Sequence, residues 1–280
     1  MKRVAGRRRC RVVSTPHTGP KKSLGQHWLR DPNVLADIAK AAELTSDDTV
    51  LEIGPGLGTL TSRLLARAGR VVAVEFDEDL ARKLPGQFPG KHLEVIHQDI
   101  LQFDPSSLPQ GYKIVANVPY YITSKIIQKF SECANPPRVM VLLVQKEVAE
   151  RLAAGPGDYN ISAVAAQVFH KVSCGVVVSA ALFTPPPKVD SRVVVLWRRA
   201  QPLVPTDEQS TFFRVVKAGF AAKRKKLRSS LAGGLHIDKA VVAELLQQAG
   251  IVPDARAEDV TIEQWRALAQ YCVDEMERHQ

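Results

Sequence analysis

Thr49-Val50-Leu51-Glu52-Ile53 runs directly into Gly54-Pro55-Gly56-Leu57-Gly58, and a helical stretch begins at Thr59. A β-branched run, a glycine turn and a helix in that order open a parallel α/β sheet, because a chain can return to a parallel strand only through a crossover. The rest of the first half repeats the unit. Stretches 70–75, 92–97, 113–116 and 139–144 read as further strands, with helices at 59–68, 79–83 and 124–132. The run Val139-Met140-Val141-Leu142-Leu143-Val144 is apolar at every position, as a strand covered on both faces must be. Runs at 172–179 and 192–197 read as later strands of the same sheet, at antiparallel edges.

The character changes at Gln201-Pro202-Leu203-Val204-Pro205. Beyond it come only helical patterns, at about 207–221, 223–232, 238–249 and 262–276. Gly250 reads as a helix C-cap, and Thr261 with Gln264 as a capping box. These shifts divide the chain into a basic tail over 1–21, an α/β domain over 22–203 and a helical domain over 204–280.

Charge is unevenly placed. The first 30 residues carry nine Lys or Arg and no acid, while the rest of the chain is balanced at 29 basic and 29 acidic groups. A second acid-free block holds Arg214, Lys217, Lys223, Arg224, Lys225, Lys226 and Arg228. Two separated basic segments on a neutral body point to a polyanion such as nucleic acid, whereas either alone reads equally as solvated surface.

Several classes are excluded. No apolar run approaches the roughly 20 residues that span a bilayer. Hydrophobic and charged fractions of 45% and 24% argue against extended disorder. Cys10, Cys133, Cys174 and Cys272 lie far apart without a Cys-x-x-Cys pair, so no metal set is expected and a reducing cytosol fits. The N-terminus has no apolar core of a secretory signal, but its arginines leave a basic tail, an RNA-contacting arm and a mitochondrial transit peptide all open.

The glycine loop carries the first chemistry. Glycines at a strand-to-helix turn let backbone approach a ligand and leave helix N-terminal N–H groups to bind it. Glu75 ends the next strand 21 residues after Gly54, where an acid can accept both ribose hydroxyls of a nucleotide cofactor. A nicotinamide enzyme shares that pattern, but the G-x-G-x-G spacing here differs from the G-x-G-x-x-G of dinucleotide binding and favours methyl transfer. After the third strand, Asp99 can accept an adenine amine while Ile100 covers the ring; alone, such an Asp is more often a turn residue.

Asn117-Val118-Pro119-Tyr120 closes the fourth strand and joins a side-chain carbonyl, a fixed turn and an aromatic ring. An exocyclic base nitrogen is a poor nucleophile because its lone pair is delocalised. Two acceptors, the Asn117 side-chain oxygen and a carbonyl of the Val118-Pro119 turn, favour a tetrahedral nitrogen, and Tyr120 can stack on a flipped-out base. With a sulfonium methyl donor, alignment and hydrogen bonding suffice and no general base is required. In isolation the segment reads as an Asn-Pro turn beside a core Tyr.

Six ordered segments carry a resemblance. They are Lys22–Leu29, Glu52–Gly58, Asn117–Tyr120, Gln145–Val148, Phe183-Thr184-Pro185-Pro186-Pro187-Lys188-Val189-Asp190-Ser191, and Gly219–Arg228. Together they resemble the S-adenosylmethionine-dependent rRNA adenine N6,N6-dimethyltransferases, most nearly the bacterial small-subunit (16S) branch that dimethylates two adjacent adenosines near the 3′ end. The resemblance implies a Rossmann-like methyltransferase sheet with a small C-terminal helical domain. It implies that His27 and Leu29 close over S-adenosylmethionine, that Gly54 and Gly56 face its methionine end, that Glu75 holds the ribose and that Asp99 holds the adenine. Phe76 and Ile100 join that cofactor set, and Asn117 contacts both cofactor and target nitrogen. Phe183 is expected to stack on the target adenine opposite Tyr120, with Pro119 shaping the pocket. Lys223, Arg224, Lys225, Lys226 and Arg228 are expected on rRNA phosphates. Departures are mild: His27-Trp28 stands where Asn-Phe is commoner, and Val118 where Leu is usual.

The implied enzyme is a cytoplasmic monomer acting late in small-subunit biogenesis, on the immature 30S subunit. The alternatives are a large-subunit rRNA methyltransferase of the macrolide-resistance type, and a non-catalytic RNA-binding assembly or mitochondrial transcription factor on the same fold. The Phe183–Ser191 segment and the helical domain disfavour the first. The intact glycine loop and Asn-x-Pro-Tyr disfavour the second.

Overall fold

A computed structural model describes residue 19, residues 25–222 and residues 224–278. The tail expected over 1–21 and the Lys223 expectation lie outside the described residues, residue 19 apart.

The strands in chain order are β1 (Trp28–Leu29), β2 (Thr49–Ile53), β3 (Arg70–Glu75), β4 (Leu93–His97), β5 (Lys113–Asn117), β6 (Val139–Gln145), β7 (His170–Val178), β8 (Phe183–Thr184) and β9 (Ser191–Arg198). Seven of them form one sheet in the order β4-β3-β2-β5-β6-β9-β7. β4, β3, β2, β5 and β6 are mutually parallel, and β9 runs antiparallel to both β6 and β7. The 192–197 run is therefore not an edge: β9 sits between β6 and β7, consistent with its apolar Val193–Leu196, and only β7 lies at the margin.

Alternation along the strands sorts side chains into two apolar layers. Leu51, Val72, Ile114, Met140 and Leu142 face one side, where α4 (Thr123–Glu132) and α5 (Lys146–Leu152) cover them. Val50, Val71, Val115, Val141 and Leu143 face the other, under α1 (Pro32–Ala41) and α2 (Thr59–Leu65). A third helix pair flanks these layers: α3 (Glu78–Lys83) follows β3, and α6 (Ile161–Phe169) leads into β7.

The chain after β9 is helical, with α7 (Gln209–Phe220), α8 (Leu227–Leu235), α9 (Lys239–Gln248) and α10 (Ile262–Arg278). Their core is continuous with α6 through Val164, Val168 and Phe169. Trp265 is fully buried at its centre, and a β-carbon on Gly219 would lie 2.3 Å from its ring, so α7 and α10 meet closely only because residue 219 has no side chain. The expected capping box forms: Gln264 N–H donates to Thr261 Oγ1 (3.2 Å) and Thr261 N–H to Gln264 Oε1 (3.1 Å). α8 starts at Leu227 rather than at the expected 223.

One buried cation locks the sheet's lower end. Lys113 Nζ donates to the carbonyls of Ala42 (3.0 Å) and Glu43 (2.7 Å) and to Asp48 Oδ2 (3.0 Å). It thereby ties the C-terminus of α1 to the first residue of β5.

Candidate active site

Strand order reverses between β2 and β5, and ligands of open α/β sheets bind at the carboxyl ends of strands at such a point. A cleft of about 300 Å³ lies there. His27, Leu29, Gly54, Gly56, Glu75, Phe76, Asp99, Ile100, Asn117, Pro119 and Tyr120 all line it, so the structure brings together every expected cofactor residue and three of the four expected catalytic ones.

The glycine loop forms the cleft floor. Gly54 and Gly56 adopt φ of +65° and +58°, a region costly for any residue with a β-carbon. Glu75 holds the loop in place: its Oε2 accepts from Gly56 N–H (3.0 Å) and its Oε1 from Asp77 N–H (2.8 Å). Burial raises the Glu75 carboxyl above the usual range, with the amide hydrogen bonds opposing that shift. Asp99 Oδ1 caps a turn by accepting from Leu101 N–H (2.9 Å), and the residue also lines the cleft. Phe76 is 58% exposed, an aromatic face left open at the cleft.

A strap over residues 26–29 covers the loop, and four contacts fix it. Asn117 Nδ2 donates to the His27 carbonyl (3.2 Å), and Thr59 Oγ1 to the Leu29 carbonyl (3.0 Å). β1 pairs with β8, Trp28 opposite Thr184 and Leu29 opposite Phe183. The His27 Nδ1 lies 2.7 Å from the Pro185 carbonyl, which can only accept, so that nitrogen carries the proton. The same logic orients Asn117: its amide nitrogen must face the His27 carbonyl, which leaves Oδ1 free as an acceptor. Tyr120 Oη is 2.7 Å from Ser191 Oγ, and burial raises the phenol, so it stays neutral.

Phe183 departs from expectation. It is 3% exposed, packed in the apolar layer beside Leu29, and absent from the cleft lining, because pairing of β8 with β1 turns it inward. The ring that faces Tyr120 is His27, with centroids 6.1 Å apart and planes 18° from parallel.

Glu52 and Tyr121 are among the lining residues that had not been anticipated. Glu52 is 1% exposed, its Oε2 has no hydrogen-bond partner, and burial pushes its carboxyl up to about 8 against the opposing effect of neighbouring Thr61. An acid inside an otherwise apolar strand was its available signal. Tyr121, 66% exposed beside Tyr120, also lines the cleft. Arg224, Lys225, Lys226 and Arg228 stand away from it, at the α7–α8 turn and the start of α8, and Lys226 Nζ is paired with Asp254 Oδ1 (2.5 Å).

Comparison with known proteins gives one consistent picture. A family profile described as ribosomal RNA adenine dimethylase matches residues 18–274. A ribosomal RNA small subunit methyltransferase A from Dehalococcoides mccartyi (strain CBDB1) is 42% identical over 252 residues, covering 89% of this chain and 87% of that one. Its namesake from Nostoc sp. is 42% identical over 265 residues, covering 89% and 97%. Among solved structures, a dimethyladenosine transferase from Plasmodium falciparum superposes with a TM-score of 0.75 at 26% identity, covering 90% of this chain and 98% of that one. The 23S rRNA methyltransferase ErmE gives 0.71 at 31% identity, covering 87% and 98%.

Proposed function

The chain belongs to the ribosomal RNA adenine dimethylase family, an S-adenosylmethionine-dependent rRNA adenine dimethyltransferase on a Rossmann-like sheet, and from that premise we propose that its substrate is small-subunit rRNA, methylated at N6 of two adjacent adenosines near the 3′ end. The small-subunit assignment rests on relatives of that name at 42% identity. The acting form is a monomer, working in the cytoplasm on the immature 30S subunit; among the described residues no helix is long and apolar enough to cross a membrane. Residues 22–203 carry the methyl-transfer chemistry and 204–280 the main RNA contacts, with Arg224, Lys225, Lys226 and Arg228 on phosphates.

The cleft fits the methyl donor. Its backbone turn at Gly54 and Gly56 admits close approach, and the buried Glu52 Oε2 has no hydrogen-bond partner; this carboxyl keeps its proton by itself up to about pH 8 and gives it up to accept from a cationic group at the loop. Glu75 would hold the ribose, Asp99 and Ile100 the adenine with Phe76 across its face, and His27 and Leu29 the strap above. When bound, S-adenosylmethionine supplies an electrophilic methyl group on a sulfonium sulfur.

The remaining work falls to the chain's own groups. Asn117 Oδ1 and the Val118 carbonyl accept the two N–H bonds of the target amine, localising the nitrogen lone pair toward the cleft. Pro119 fixes that carbonyl, and Tyr120, held by Ser191, supports the base face. The neutral Tyr120 takes no proton; the proton leaves the product ammonium for solvent.

The observation that carries this reading is the oriented Asn117 amide, its nitrogen committed to the strap, which leaves its oxygen to accept. The test is transfer of labelled methyl groups to unmodified small subunits and, separately, to large-subunit rRNA. Label confined to the small subunit supports the proposal. Label confined to large-subunit rRNA replaces it with the large-subunit reading, which the likeness to ErmE represents.

A further inference from the structure

Trp28 carries a buried indole nitrogen with no hydrogen-bond partner, and no role in holding the strap explains it. The indole lines the cleft, and its Nε1–Cδ1 edge lies 3.5 Å from where a β-carbon on Gly56 would stand. An indole N–H can only donate, and leaving it buried and unpaired is unfavourable. The matching orphan at the same loop is Glu52 Oε2, two residues before Gly54. Glu52 keeps its proton by itself up to about pH 8, but a cationic group beside it favours the carboxylate; the indole donor and this carboxyl, beside one glycine turn, are then complementary to a ligand group that bears an anion and a cation together. An α-amino acid head is such a group.

We propose that Trp28 is a specificity residue for the methionine end of the cofactor, its indole N–H donating to the α-carboxylate. This rests on the reading that Gly54 and Gly56 face that end. The β1–β8 pairing that carries Trp28 is two residues long, and the proposal requires the buried indole nitrogen to become accessible to the carboxylate oxygen. Trp28 thereby reports whether the amino-acid head is present, which the residues around the ribose and adenine do not.

The test compares two ligands by calorimetry on the full chain, wild type and Trp28→Phe, a change that removes the N–H and keeps an aromatic ring. S-adenosylhomocysteine carries the amino-acid head; 5′-methylthioadenosine has the same nucleoside and thioether without it. The expected result is about tenfold weaker binding of S-adenosylhomocysteine to the variant, with less than about a twofold change for methylthioadenosine. Equal weakening for both ligands would make Trp28 a packing residue and overturn the proposal, as would no change for either. A readout on the unaltered protein stands beside it: one tryptophan indole proton resonance should move downfield with S-adenosylhomocysteine and stay in place with methylthioadenosine. No selective movement overturns the proposal. Failure of the wild type to bind either ligand would instead remove the cofactor reading on which it rests.

Discussion

The side-chain amide of Asn117 donates to the backbone carbonyl of His27 across 3.2 Å, joining the end of the fourth sheet strand in the chain's order, β5, to a strap 90 residues earlier. One residue thus holds the strap beside the cleft and, on the proposed mechanism, also offers an acceptor to the target amine.

Replacing Asn117 by Ala removes both roles. Single-turnover methyl transfer should slow by at least about 100-fold, the scale seen when one aligned hydrogen-bond partner of a transition state is deleted. Asn117→Asp keeps an acceptor but sets a carboxylate against the His27 carbonyl, so it should weaken cofactor binding measured by calorimetry as well as slow transfer. Near-wild-type turnover in Asn117→Ala would remove this residue from the mechanism.

Glu52 predicts a pH dependence of stability with a definite sign. Folding holds a proton on this buried carboxyl up to about pH 8, whereas its ordinary value is 4.5. Between those values the folded chain binds more protons than the unfolded one, so stability falls as pH rises and levels off above about pH 8. Thermal unfolding of Glu52→Gln should lose most of this slope, and at pH above 8 the variant should match or exceed wild type. A variant as pH-sensitive as wild type in that window would assign the effect to other groups, Glu75 first, since burial shifts it the same way.

Lys113→Met tests the lock beneath the sheet. It removes donors from two carbonyls and strands Asp48, whose side chain is 14% exposed and retains only its Thr45 hydrogen bonds. Denaturant unfolding should show a loss of about 3 kcal/mol. Cofactor affinity should hold, because Lys113 begins the strand that Asn117 ends.

The basic block predicts unequal contributions. Lys226 is already paired with Asp254, so Lys226→Ala should weaken subunit binding less than Arg224→Ala or Lys225→Ala. Neutralising Arg224, Lys225 and Arg228 together should reduce the slope of log affinity against log salt by about 0.7 per lost phosphate contact. An unchanged slope would make the block a solvated helix end.

Most of the sheet was legible in the sequence because it follows from local rules, and so was the glycine turn of the cleft; His27, Leu29 and Phe76 were placed at the cleft by the family resemblance. Strand periodicity placed β2 to β6, and a glycine turn can sit only where a positive φ is needed. What escaped was set by long-range pairing. β1 and β8 are two-residue strands that exist only because each has the other, and that pairing buries Phe183 instead of presenting it to the base. The interior place of β9 depends on a strand inserted out of chain order. Glu52 was visible as an acid in an apolar strand, but its missing partner becomes apparent only when the strands on either side are in place.

The central claim is best tested on the RNA product itself. Unmodified small subunits are incubated with the protein and S-adenosylmethionine, the rRNA is digested, and the fragments are sequenced by mass spectrometry. The account predicts N6,N6-dimethyladenosine at two neighbouring positions near the 3′ end, absent when Asn117→Ala replaces the wild type. Methylation at a single adenosine, at another atom of the base, or only in large-subunit rRNA would contradict it.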